Sequence, residues 1–108
     1  YSPYSILFWD KMERQGQTDA MFTAIQYATR ELLAYDNAKI QCFLTDIDTI
    51  TDLDNYADHI HVAGRVTWRM SKEMAQTDHL LTLENYEEKL DALREFVVNY
   101  DYESIWEE

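Results

Sequence analysis

The chain has 108 residues, 46% of them hydrophobic, and carries a formal net charge of −12 from 21 acidic and nine basic residues. That is enough apolar material for one compact domain with a modest core, so residues 1–108 are expected to form a single unit. Lys and Arg are too few and too scattered for a surface that grips phosphate backbones, an acidic surface repels anionic lipid headgroups, and no run approaches the ~18 apolar residues of a membrane span. Nucleic acid is therefore not expected as a partner, and neither is membrane insertion by this segment. No signal-peptide pattern opens the chain, although a longer parent could carry one upstream of Tyr1.

Two glycines, Gly16 and Gly64, and one proline are far below average usage. Without a Gly-rich loop there is no P-loop, no dinucleotide fingerprint and no Gly-x-Ser-x-Gly nucleophile elbow. Cys42 is the single cysteine, which excludes an intrachain disulfide. Its setting, Ile40-Gln41-Cys42-Phe43-Leu44, reads as a buried strand in which the thiol is an inert hydrophobe.

Taken in chain order, Tyr1–Trp9 opens with a Ser-Pro-Tyr-Ser turn and continues either as the first turns of a helix running to about Arg14 or as a strand end. Thr18 then caps an amphipathic helix with Asp19 in its first turn. Met21, Ile25, Ala28 and Leu32 form its apolar stripe, widened by Phe22 and Leu33. It is expected to end near Tyr35, with Asn37 as a left-handed stop. Lys39–Leu44 alternates, with Ile40, Cys42 and Leu44 on one face, and is the best strand of the sequence. The Asp-rich stretch Asp46–Asp58 reads as a loop with one short helix over Asp46–Leu53, its Asp residues accounted for by helix capping and loop solvation. Val66, Met70 and Met74 mark a further helix. Thr82 caps the strongest one, whose stripe runs Leu83, Tyr86, Leu90, Leu93, Val97 and Tyr100. The aromatic tail Tyr100–Trp106 is expected to dock. Helix, strand, loop and two helices make a helix-rich α/β layer pattern with a very small sheet.

Asp58-His59-Ile60-His61 is the most informative stretch. A nucleophilic Ser needs a base, and the base needs its second ring nitrogen held by a carboxylate; an Asp three residues ahead of a His can reach Nδ1 within one turn. By spacing alone, Asp58 capping a turn beside a surface His61 is the simpler reading. His59 and His61 with Asp54 and Asp58 would also suit a metal, because His-x-His on a strand points both rings to one face. No third His is near, so no metal or cofactor is expected. The Asp-rich loop lacks the Gly and Glu positions of a calcium loop. Ser2 and Ser5 are poor substitutes for a nucleophile, since Ser beside Pro belongs to turns.

Several ordered motifs accompany that pair: Pro3-Tyr4-Ser5-Ile6-Leu7, Tyr35-Asp36-Asn37 before the strand, Leu53-Asp54-Asn55-Tyr56, His79-Leu80-Leu81-Thr82 with Asn85-Tyr86, and Tyr100-Asp101-Tyr102. Together they make the chain resemble the C-terminal region of bacterial SGNH/GDSL-like hydrolases. The resemblance implies the last part of a flavodoxin-like three-layer α/β/α fold, with one or two short parallel strands and three to four helices. It also implies that Asp58 orients His61, and that His61 serves as general base on an ester or acyl substrate of the full-length parent. The Gly-Asp-Ser nucleophile block and the Gly and Asn oxyanion donors would lie N-terminal to Tyr1, so the chain alone is expected to be inactive. The alternative is a non-catalytic helical interaction domain. In either case homo-oligomerisation through exposed aromatic and aliphatic surface is expected.

Overall fold

Helix α1 spans Ile6–Arg14 in the computed structural model, which describes residues 1–107, so the N-terminal segment is helix and not strand. Its end is set by Gly16 at φ 66°. The Gly16 N–H donates to the Glu13 carbonyl (3.1 Å) and the Gln17 N–H to that of Met12 (2.9 Å), a Schellman stop that favours a residue without Cβ.

Helix α2 covers Thr18–Leu33. Gln17 occupies the cap position, Thr18 is the first helical residue, and Asn37 is not left-handed: among the described residues only Gly16 has a positive φ. The buried face of α2 is rotated from the one the hydrophobic stripe suggests. Thr18, Phe22 and Thr29 are buried, Ile25 and Leu33 flank them, and Ala28 and Leu32 face out. Thr29 explains the rotation. Its hydroxyl donates to the Ile25 carbonyl (2.7 Å) and meets the Tyr1 hydroxyl (2.7 Å), so a nominally polar side chain sits in the core fully satisfied.

Strand β1 is only Ile40–Gln41, paired with β2, Leu80–Leu81, in register Ile40↔Leu81 and Gln41↔Leu80. The pair is antiparallel, which corrects the expectation of parallel strands and with it the flavodoxin-like sheet. The segment Cys42–Leu44 continues extended beyond β1, but its partners are single contacts. The Cys42 N–H donates to the His79 carbonyl (2.7 Å) and the Phe43 N–H to that of Tyr1 (2.9 Å), while the Tyr1 nitrogen donates to the Gln41 carbonyl (2.7 Å). Alternation sorts the apolar side chains of this segment onto two sides, both of them covered. Ile40, Cys42 and Leu44 join the main core, whereas Phe43 is buried in a second cluster with Val66 and Met70. Burial also pushes the Cys42 thiol pKa up, in keeping with an inert hydrophobe.

Helix α3 (Ile47–Ile50) is the short helix of the Asp-rich stretch, followed by a 3-10 turn at Leu53–Asn55. Helix α4 (Gly64–Glu73) buries Val66 and Met70; Met74, which the spacing would have placed with them, is exposed. Helix α5 (Tyr86–Asn99) buries Tyr86, Leu90, Leu93 and Val97 as the heptad-like spacing predicts. Thr82 and Asn85 build its entry together. The Thr82 N–H donates to Asn85 Oδ1 (2.8 Å) and the Asn85 N–H to Thr82 Oγ1 (3.2 Å). Leu83 lies outside the helix and is exposed.

The main core joins α1, α2 and α5 with Ile40, Cys42, Leu44, Ile50 and Leu81; Trp9 stacks on Phe22 at 5.1 Å at its centre. The tail docks as expected through a 3-10 helix at Tyr102–Trp106. The Tyr102 hydroxyl donates to the Val97 carbonyl (2.6 Å), and Ile105 packs on the core. No helix among the described residues is long and apolar enough to cross a membrane.

Leu90 is wholly buried at the contact of α5 with this core, so Leu90→Ala removes packing that cannot close over the gap. A loss of about 2–5 kcal/mol is expected in urea unfolding. The exposed Val98→Ala on the same helix should change stability by under about 0.5 kcal/mol.

Candidate functional site

The Asp58–His61 loop is a tight excursion whose ends are zipped together. Tyr56 and Val62 form an antiparallel bridge, the Ala63 N–H donates to the Asn55 carbonyl (2.7 Å), and the Ala57 N–H donates to that of His61 (2.8 Å). Within this closure Asp58 turns back on its own loop. Its Oδ1 accepts the backbone N–H groups of Ile60 (2.9 Å) and His61 (2.8 Å), and its Oδ2 lies 2.7 Å from His61 Nδ1. The spacing of three residues therefore places the two side chains in contact, as the sequence suggests.

The loop is fastened to the N-terminal end of the chain. Ser5, fully buried, donates to the His59 carbonyl both through Oγ (2.6 Å) and through its backbone N–H (3.3 Å). The Tyr56 hydroxyl donates to the Pro3 carbonyl (2.8 Å); burial, followed by the nearby Asp46 carboxylate, pushes that phenol up from its ordinary value. Ser5 is thus a structural donor that holds the loop, and its hydroxyl is committed and inaccessible as a nucleophile. No sequence motif marks this role, because the contact spans 54 residues. On the other side Arg65, in the first turn of α4, reaches back to the Asp54 carbonyl and to Asn55 Oδ1.

The electrostatics fix the hydrogen-bond roles. The Asp58 carboxyl is held down at about 2, first by the Ile60 N–H, then by the His61 side chain and the His61 N–H. At neutral pH it is an anion and can only accept, so the proton between the two groups sits on His61 Nδ1. Nε2 makes no hydrogen bond among the described residues. The His61 side chain is 70% exposed and that of Asp58 49%. Chemically this is an oriented base with open access to Nε2.

The metal alternative gains no geometry: among the described residues no three His, Cys, Asp or Glu side chains are grouped to hold an ion. The His59 ring is exposed, and this residue contributes its carbonyl to the Ser5 contact.

A second polar network lies between α3 and α4. Arg69 donates to Asp46 Oδ2 (2.9 Å) and Thr49 Oγ1 (2.7 Å), Thr49 donates to the same Asp46 oxygen (2.6 Å), and Glu73 links Arg69 (3.6 Å) to His79 Nε2 (3.1 Å). Asp46 is therefore a half-buried ion-pair partner, not a solvated loop residue as its Asp-rich surroundings suggest. The buried Arg69 Nε makes no hydrogen bond, its contact to Glu73 being long. The network ties α4 to α3 and reads as structural.

Models of protein families, curated proteins and solved structures contain no match to this chain.

The carboxyl of Asp58 should titrate near 2 in carbon-detected NMR, against an unfolded value of ~3.9. Because the folded value is the lower one, its contribution to loop stability is complete above about pH 4 and is lost as pH falls toward 2. His61→Ala should raise the Asp58 value only part of the way, since the Ile60 N–H, the largest influence, remains. Titration of the variant at the unfolded value would show that the loop does not hold this geometry.

Proposed function

We propose that this chain carries the Asp–His portion of an SGNH-type serine hydrolase, acting on an ester or acyl group, with the nucleophile supplied by polypeptide outside these residues. One observation carries the reading: Asp58 Oδ2 lies 2.7 Å from His61 Nδ1 while Nε2 is open. That is the arrangement in which an imidazole accepts the proton of an attacking Ser and the carboxylate stabilises the resulting imidazolium. The ordered motifs that resemble the C-terminal region of these hydrolases support it. The reading rests on the loop and takes nothing from the sheet, whose two strands run antiparallel.

The chain lacks the remaining machinery. The Ser5 hydroxyl is engaged, no nucleophile elbow exists, and a base without nucleophile or oxyanion donors has nothing to activate. In the parent, His61→Ala should lower kcat by at least about a thousandfold with KM little changed, and Asp58→Asn should lower it less severely. The 108-residue chain itself should show no turnover of p-nitrophenyl esters beyond that of free imidazole. A longer chain whose esterase activity survives His61→Ala would overturn the proposal.

A second reading, a non-catalytic helical interaction domain, is favoured by one specific feature. Asp58 already caps the turn through two backbone N–H groups, so the loop geometry alone accounts for its presence. The two readings part at Nε2: methylation of that nitrogen or a substitution at His61 abolishes activity in the first and leaves function intact in the second.

A further inference from the structure

Two hollows border Ala92 and Phe96 of α5, of about 490 and 560 Å³. The larger one lies between α5, the start of α3 and the residues that lead into β2. Its size falls within the ~300–1,000 Å³ of small-molecule sites. Leu93 and Phe96 of α5 and Ile47 of α3 give it an apolar lining.

Four ionisable residues also line this hollow: Asp46, Asp78, His79 and Lys89. Two of them are committed. Asp46 Oδ2 accepts from Arg69 and Thr49, while His79 Nε2 meets Glu73 and its ring lies 4.3 Å from that of Phe43. Lys89 and Asp78 are different, because neither has an ion-pair partner among the described residues. They meet at one end of the hollow, where the half-buried Lys89 places its ammonium 3.5 Å from the Asp78 carbonyl. Phe96 is seven residues further along the helix, about 10 Å away. The hollow therefore has an end with one cation and one anion, both unpaired, and an apolar end.

That combination restricts the guest. A purely apolar molecule would strip water from both charges and give nothing in return. A lone carboxylate would meet Lys89 but lie beside the like charge of Asp78, and a lone amine would face the reverse. A molecule with its ammonium and carboxylate on one carbon answers both residues at once. A large apolar side chain on that carbon can then lie along Leu93 and Phe96.

We propose that this hollow binds a free α-amino acid with a large apolar side chain, its carboxylate on Lys89 and its ammonium on Asp78. The proposal is independent of the hydrolase reading, since the hollow shares no residue with the Asp58–His61 loop. The site is open and the ligand small, so a dissociation constant of about one millimolar is expected.

L-Phenylalanine titrated into the ¹⁵N-labelled 108-residue chain should shift the amide signals of Ile47, His79, Lys89 and Phe96 with that affinity. Glycine, which keeps both charges and has no side chain, should give no saturable shift. N-acetyl-L-phenylalanine and L-phenylalaninamide each lack one charge and should bind roughly three- to fivefold more weakly. Lys89→Gln and Asp78→Asn should each weaken phenylalanine binding by a similar factor, with the rest of the spectrum unchanged. The losses should also be selective. Lys89→Gln should not lower the affinity for the amide, and Asp78→Asn should not lower that for the N-acetyl compound, because neither ligand carries the group which the lost residue holds. No shift at these four residues up to about 20 mM, or derivatives that bind as tightly as phenylalanine, would overturn the proposal. Variants that bind phenylalanine undiminished would overturn it equally.

Discussion

The carbonyl oxygen of His59 accepts two hydrogen bonds from one buried residue, Ser5, and the shape of the candidate site depends on that junction. The loop that carries Asp58 and His61 is mostly exposed and has little apolar surface with which to hold itself down. It is fixed at its apex by Ser5 and at its base by the Tyr56 hydroxyl on the Pro3 carbonyl. The same N-terminal segment reaches the other way, pairing Tyr1 with Gln41 and Phe43. Residues 1–5 are thus a strap between the small sheet and the Asp–His loop. A buried Ser donating to a loop carbonyl that has no other partner is costly to remove, and its loss would free the loop without touching either site residue. The strap is therefore as much a part of the site as the dyad.

The parts of this fold that are legible in the sequence are those in which one face is buried and the other wet. Helix α5 is the clearest case: Tyr86, Leu90, Leu93 and Val97 keep the spacing of three and four, and all four are buried. The docking of the aromatic tail and the contact of Asp58 with His61 follow just as directly, because each is a local event within a few residues. Where two faces are covered, the pattern still tells the sides apart but not that both are buried. The segment from Ile40 to Leu44 alternates on paper, yet Phe43 is as buried as its neighbours because α4 lies over the opposite side. Strand direction was equally hidden. A two-residue strand carries no information about which way its partner runs, and the partner lies some 40 positions along the chain.

Helix α2 shows a different kind of failure. Classing Thr29 as polar moves the apolar stripe round to Ala28 and Leu32, whereas the helix turns so that Phe22 and Thr29 face the core together. The hydroxyl makes this possible by bonding back to the Ile25 carbonyl and across to Tyr1, and the Tyr1 partner could not be foreseen. Asp46 is the mirror-image case: it occupies the cap position of α3, as capping suggests, but it is not solvated, because Arg69 and Thr49 converge on it from α4 and α3. In each case a polar side chain is buried because a distant group satisfies it, and such long-range satisfaction leaves no local trace in the sequence.

The dyad itself can be weighed by what builds it. The largest influence on Asp58 is the backbone N–H of Ile60, with the His61 ring second. A carboxylate held first by its own turn needs no tertiary partner to stay ionised, and it then fixes the Nδ1 proton of His61 as a by-product of the turn. The contact within the pair is thus local, while the position of the loop that carries it is set by Ser5 and Tyr56. What distinguishes a catalytic pair from a turn that happens to contain a His is consequently the surface that Nε2 meets, and among these residues Nε2 meets none. Two larger hollows of the molecule lie instead along α5, on either side of Phe96 and Ala92. The strap from Tyr1 to Ser5 fixes where Nε2 is presented, through the Ser5 and Tyr56 contacts with the loop.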